Sequence, residues 1–141
     1  MKEYAYLITP FLAWLVAGIL KFIINSIRAK RFAFDLIGYG GLPSNHSAIV
    51  SSIAALVAFK EGINTPAFGV AIALAFIVIL DASSLRRQVG KHAEVINQLT
   101  SITKTDSFNK LRERMGHTRL EIFLGILVGT LVSYFTYLVQ K

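Results

Sequence analysis

The sequence predicts an all-α integral membrane helical bundle, with about four transmembrane helices plus one amphipathic surface helix. Hydrophobic residues make up 54% of the 141 residues and charged residues only 16%, where an ordinary soluble domain carries about 25% charged residues. The mean hydropathy is +0.56. The apolar residues gather into segments near 4–27, 44–59, 66–80 and 116–139, separated by two long basic connections and one tight turn. This composition excludes a disordered or collagen-like chain, and zero Cys excludes disulfides, thiolate metal sites and thiol nucleophiles together. The length fits one membrane-embedded domain over 1–141.

Each element has its own signal. Segment 4–27 is followed by no small-residue cleavage site, so it reads as a membrane helix with Lys21 near its exit. Segment 44–59 is short and rich in Ser and Ala, and Ser44 after Pro43 is an N-cap residue. Thr65-Pro66 gives the third helix both a cap and a first-turn proline. At ~1.5 Å rise per residue, segments one, three and four are long enough for ~30 Å of hydrocarbon, and segment two is marginal. In the polar stretch 82–115, Leu85, Val89, Ala93, Ile96 and Leu99 recur at helical spacing. They predict an amphipathic helix near the membrane surface over 85–99, followed by a loop over 100–106.

A net charge of +7 on so apolar a chain points to lipid headgroups or phosphates as partners. Nucleic acid would leave the apolar mass unexplained. With four crossings, the connections 28–43 and 82–115 emerge on one side of the bilayer. Arg28, Lys30, Arg31, Arg86, Arg87, Lys91, Lys104, Lys110, Arg112, Arg114 and Arg119 lie there, against Lys2, Lys60 and Lys141 on the other side. The positive-inside rule then predicts a multi-pass protein of the cell (inner) membrane with both long loops cytoplasmic.

Polar residues at helix ends carry the chemistry. His46 stands in the first turn of the second helix, after Gly40-Gly41 and Pro43-Ser44-Asn45. Free backbone N–H groups there suit a phosphate, and the glycines allow close backbone approach. The alternative is a His that simply sits among headgroups. His117 and Glu121, four residues apart, are expected to share a helix face one turn apart. A carboxylate on one imidazole nitrogen leaves the other as base or nucleophile, and an unpaired Glu in an apolar run would be costly. The alternative is a structural His–Glu pair. Asp81 faces the negative end of the third helix dipole and needs a partner, which Arg86-Arg87 offer. Those arginines either clamp a phosphate or form a surface ion pair. Lys21 either snorkels to headgroups or joins the histidines on its side. Gly125 and Gly129 form a packing seam, within one chain or between two in a homodimer. No helix shows the spacing that commits two His or Glu ligands to one ion, so no metal and no cofactor is expected.

The order of these motifs resembles the divergent branch of the type 2 phosphatidic acid phosphatase superfamily, related to acid phosphatases and vanadium-dependent haloperoxidases. The resemblance runs through Gly41-Leu42-Pro43-Ser44-Asn45-His46-Ser47-Ala48, Asp81-Ala82 with Arg86-Arg87, and Gly116-His117-Thr118 with Glu121, and spans 21–129. Lys21 and Arg28 have the spacing of the superfamily's first phosphate-binding motif, with Ala29 in place of its Pro. Asn45 replaces the Gly of a Pro-Ser-Gly-His motif, and Glu121 replaces a shorter carboxylate. Leu111 stands where an Arg is usual, so Arg86-Arg87 is the better candidate for that role, ahead of Arg112 or Arg114. Ser84 and His92 depart from the branch's Gly and Gln.

The resemblance implies a metal-independent lipid phosphate phosphatase working through a phosphohistidine. His117 would be the nucleophile, His46 the proton donor and then base, and Glu121 the group that stabilises the imidazolium. Lys21, Ser44, Asn45, Arg86, Arg87 and Asp81 would form the substrate-binding surround. Phosphatidylglycerophosphate, phosphatidate and isoprenyl phosphates are the implied substrates, the first favoured if the loops are cytoplasmic. The rival is a non-catalytic membrane protein that binds or carries anionic lipid or phosphate.

Overall fold

The computed structural model describes residues 4–32, 41–102 and 109–141. Within them the chain forms α1 (Ala5–Ala29), α2 (Asn45–Glu61), α3 (Pro66–Leu80), a π-helical segment (Asp81–Leu85), α4 (Arg86–Ile102) and α5 (Arg119–Gln140), with no strand. Three stretches are long and apolar enough to cross a membrane: Ala5–Ala29, Pro66–Ile102 and Arg119–Gln140. The 17 residues of α2 reach only ~26 Å, short of a ~30 Å hydrocarbon core. The all-helical bundle is as expected, including its marginal second helix.

The marginal helix lies at the centre: α2 packs against α1, α3 and α5. Its Ser and Ala content explains why. In hydrocarbon the apolar effect between helices vanishes, and close backbone approach with interhelical hydrogen bonds takes over. From α1 the line Ala5, Thr9, Ala13 and Ala17 is buried, one residue per turn. From α5 the buried line is Glu121, Gly125, Gly129 and Ser133. A Cβ on Gly125 would collide with the Ser44 carbonyl oxygen, and one on Gly129 with the Ala48 carbonyl and the Ser51 hydroxyl. The glycine seam therefore packs within the chain, on α2. The Ser133 hydroxyl donates to the Ser52 carbonyl across the same contact. At one end Lys60 ties the three helices together, 4.7 Å above the Tyr6 ring and donating to Gln140 at 3.1 Å.

Ser44 and Thr65 cap α2 and α3 as their sequences predict, accepting from the Ser47 and Phe68 amides. Three boundaries differ from expectation. First, no break separates α3 from the amphipathic α4, because Asp81–Leu85 continues the helix as a widened π-turn. That segment holds no Gly or Pro, and the Ser83 and Ser84 hydroxyls both donate to the Leu80 carbonyl at its start. Second, α4 runs to Ile102, so Thr100 and Ser101 are helical, with their hydroxyls bonded back to Ile96 and Gln98. Positions 103–106 of the expected loop, with Lys104, lie outside the described residues, as do Lys2 and Gly40. Third, α5 starts at Arg119, two residues after His117.

The residues before α5 run back along α4. Asn97 holds Leu111 at two points, donating to its carbonyl at 2.8 Å and accepting from its amide at 2.9 Å. Gly90 faces the backbone of Glu113 and Met115, and Gly116 faces Arg87 and the Ala82 carbonyl. This strap delivers His117 to the π segment.

The seam makes a contrast testable by thermal melting in detergent. Gly129→Ala should lower Tm, since overpacking a tight contact costs about 1–3 kcal/mol. Gly69→Ala, in α3 with nothing within 4 Å, should leave Tm unchanged or raise it slightly.

Candidate functional site

Four separate elements bring polar side chains to one end of the bundle. On α1, Lys21 continues the buried line that runs through Ala17. The start of α2 supplies Ser44, Asn45 and His46, and its position is set by a main-chain bond from the Ser44 amide to the Glu121 carbonyl, 2.9 Å. The π segment and the first turn of α4 supply Asp81, Arg86 and Arg87. The strap and the first turn of α5 supply His117 and Glu121.

His117 is held on both sides. Its amide donates to the Ala82 carbonyl of the π segment at 2.9 Å. Its Nδ1 stands 3.0 Å from Glu121 Oε2. The same oxygen accepts the Thr118 amide at 2.9 Å, while the Thr118 hydroxyl accepts the Glu121 amide at 3.2 Å. This is a capping box, with Glu at the third helical position reaching back to the cap. His117 therefore precedes the helix instead of sharing a helical face with Glu121, and the pair forms through the cap. The Thr118-x-x-Glu121 pattern carries that signal in the sequence. His117 and Glu121 are buried, 7% and 9% exposed. A carboxylate on Nδ1 fixes the proton there and leaves the Nε2 lone pair available. Burial pushes the His117 imidazole below its ordinary value, Lys21 and Arg86 push the same way, and Glu121 opposes them.

His46 faces His117, with ring centroids 5.8 Å apart. Arg86, Lys21 and Asp81 all interact electrostatically with His46. Arg86 Nε lies 3.0 Å from Asp81 Oδ2, both about one-third exposed, so Asp81 has the arginine partner its position requires. The stem of Arg87 packs on Gly116. Asn45 stands beside Gly18, one turn from Lys21. Its Oδ1 and the His46 Nδ1 are buried with no hydrogen-bond partner in the described residues. Such atoms are rare in folded chains and mark places where a ligand or water belongs.

Other expected contributors stand differently. Ser44 is fully buried, and its hydroxyl is occupied by the Ser47 amide and hydroxyl, so it frames the helix start. Gly41, with φ of 143°, is met by the Asn25 side chain of α1 at 3.3 Å from where a Cβ would be. Arg28, His92, Arg112 and Arg114 are exposed. Among the described residues no three His, Asp or Glu groups are grouped to hold a metal ion. Asn97 and the Ala82 carbonyl, which position His117 through the strap, are contributors the sequence reading did not single out.

The arrangement is a buried, carboxylate-oriented imidazole opposite a second imidazole, with Lys21 and Arg86 as cations beside them. Such an arrangement can attract an anion and presents an imidazole nitrogen to it. A model of the Divergent PAP2 family matches residues 3–132. The chain is also 30% identical to the uncharacterized membrane protein YuiD of Bacillus subtilis (strain 168), over 90% of each chain. No solved structure matches. With the family's model covering nearly the whole sequence, site residues included, the chain belongs to the Divergent PAP2 family.

Proposed function

We propose that this membrane protein is a metal-independent phosphatase of lipid phosphates. The observation that carries the reading is His117, oriented through Nδ1 by a buried Glu121 and facing His46 across 5.8 Å. His117 Nε2 attacks phosphorus in line and the bond to the lipid oxygen breaks, giving a phosphohistidine. His46 gives its proton to the departing alkoxide. Water then attacks the phosphohistidine while His46 takes a proton from it, which releases phosphate and restores both imidazoles. Glu121 stabilises the imidazolium that forms on His117. Lys21, Arg86 and the α2 amides after Ser44 oppose the charge on the equatorial oxygens. Arg86 rests on Asp81 until a phosphate draws it away, and Asn45 and Arg87 border the same space.

The substrates that suit a site at helix ends are phosphatidylglycerophosphate, phosphatidate and isoprenyl phosphates, whose phosphates lie at headgroup depth. With the basic loops cytoplasmic and the protein in the inner membrane, the substrate is drawn from the inner leaflet. The test is phosphate release by purified protein from a panel of these lipids with EDTA present. Wild type should turn over at least one of them, EDTA notwithstanding. His117→Ala should reduce release to background, and His46→Gln should lower kcat roughly 10²–10⁴-fold. A folded wild type that binds lipid phosphate but releases none would instead favour the binding or carrier reading.

The pH dependence has a definite sign. Neutral His117 is the active form, and its value is depressed by burial and by Lys21 and Arg86. The acid limb of kcat/KM should therefore lie below the ordinary histidine range, while the need for a protonated His46 sets a separate alkaline limb. Arg86→Gln removes one depressing charge, so its acid limb should move to higher pH relative to wild type. An acid limb that stays in place, or moves lower, would contradict His117 as the titrating nucleophile.

A further inference from the structure

A groove of about 800 Å³ runs between α1 and α5, within the range of ligand-binding cavities. On α1 its wall is Ile8, Leu12, Val16 and Leu20, and on α5 it includes Val128 and Phe135. The α1 residues form a line beside the buried stripe that leads to Lys21. They are recessed: their exposures of 37–40% compare with 63% and 66% for Leu7 and Phe11 on the outward face. The lining is apolar until Thr136 and Gln140 at the end far from the histidines. The near end stops at Leu20, next to Lys21, whose charge acts on both site histidines.

The geometry points to this groove as the seat of the hydrocarbon tail of the lipid phosphate whose headgroup lies at Lys21, His46 and His117. The inference rests on the proposed phosphate site and adds the class of tail. From Leu20 to Ala5 the groove follows α1 for ~22 Å, at ~1.5 Å per residue. One leaflet of a ~30 Å core supplies only ~15 Å. The groove thus passes the bilayer midplane and matches a single tail longer than a leaflet, and on α1 it ends one residue from the cationic Lys21. A tail confined to one leaflet would leave about the last third of its length unfilled.

Single-chain alkyl phosphates of increasing length, each with a photoreactive group at the tail end, test this in liposomes containing the full chain. Short tails should label residues near Leu20 and Val128, and long ones residues near Ile8 and Val139. Leu12→Trp, which blocks the groove midway at a half-exposed position, should reduce the far labelling about tenfold and leave the near labelling intact. Labelling spread equally over Val70 and Phe76 of α3, or unaffected by Leu12→Trp, would overturn the inference. So would disulfide-linked dimers trapped through Phe135→Cys, which would make a second copy the occupant. Labelling needs no turnover, and phosphate release measured on the same lipids reports the phosphatase reading separately. Groove labelling without release would sustain the tail site while contradicting catalysis.

Discussion

A single carboxylate oxygen at the start of α5 does two jobs at once. Glu121 Oε2 accepts the Thr118 amide that closes the helix cap and the His117 imidazole two residues before the helix. The Glu121 carbonyl in turn accepts the Ser44 amide, so the start of α2 is registered against the same residue. A buried carboxylate is costly unless it is hydrogen-bonded, and here the bonds that satisfy it are the ones that define the site. Any shift of α5 along α2 would break the cap, the histidine's orientation and the α2 start together. The close seam below, where Gly125 and Gly129 admit the α2 backbone, is what keeps α5 in that register.

The second support comes from the π segment. An ordinary α-helical continuation through 81–85 would rotate Asp81 relative to Arg86 and engage the Ala82 carbonyl within the helix. The widened turn leaves that carbonyl to accept the His117 amide, and the Arg86–Asp81 pair forms across it. The strap clamped by Asn97 then arrives with its direction already fixed. Glu113 belongs to the same clamp: hydrogen bonding from Asn97, with the charge of Lys110, holds its carboxyl below the usual range.

The parts legible in the sequence were those with local causes. Helix caps at Ser44 and Thr65, the long apolar segments and the weak second span follow from residue type and spacing. So does the His117–Glu121 partnership, although its mechanism is a cap and not a helical face. What sequence spacing concealed was non-local. The strap pairs Asn97 with Leu111, fourteen positions on, and polar 82–115 carries no periodicity that announces it. The join of α3 to α4 was hidden because polarity changes at Asp81 while the backbone continues. Ser44 illustrates the limit for single residues, since the same hydroxyl that suits a phosphate also suits an N-cap, and the cap has it.

The central claim is that His117 becomes covalently phosphorylated, and rapid quenching tests it directly. Protein mixed with a lipid phosphate labelled in its phosphoryl group is stopped in base, where phosphohistidine survives, and digested for mass spectrometry. The account predicts label on the peptide bearing His117, approaching one phosphoryl group per chain when His46→Ala slows hydrolysis more than transfer. Phosphate released with no label on His117, or label on a different residue, would contradict it.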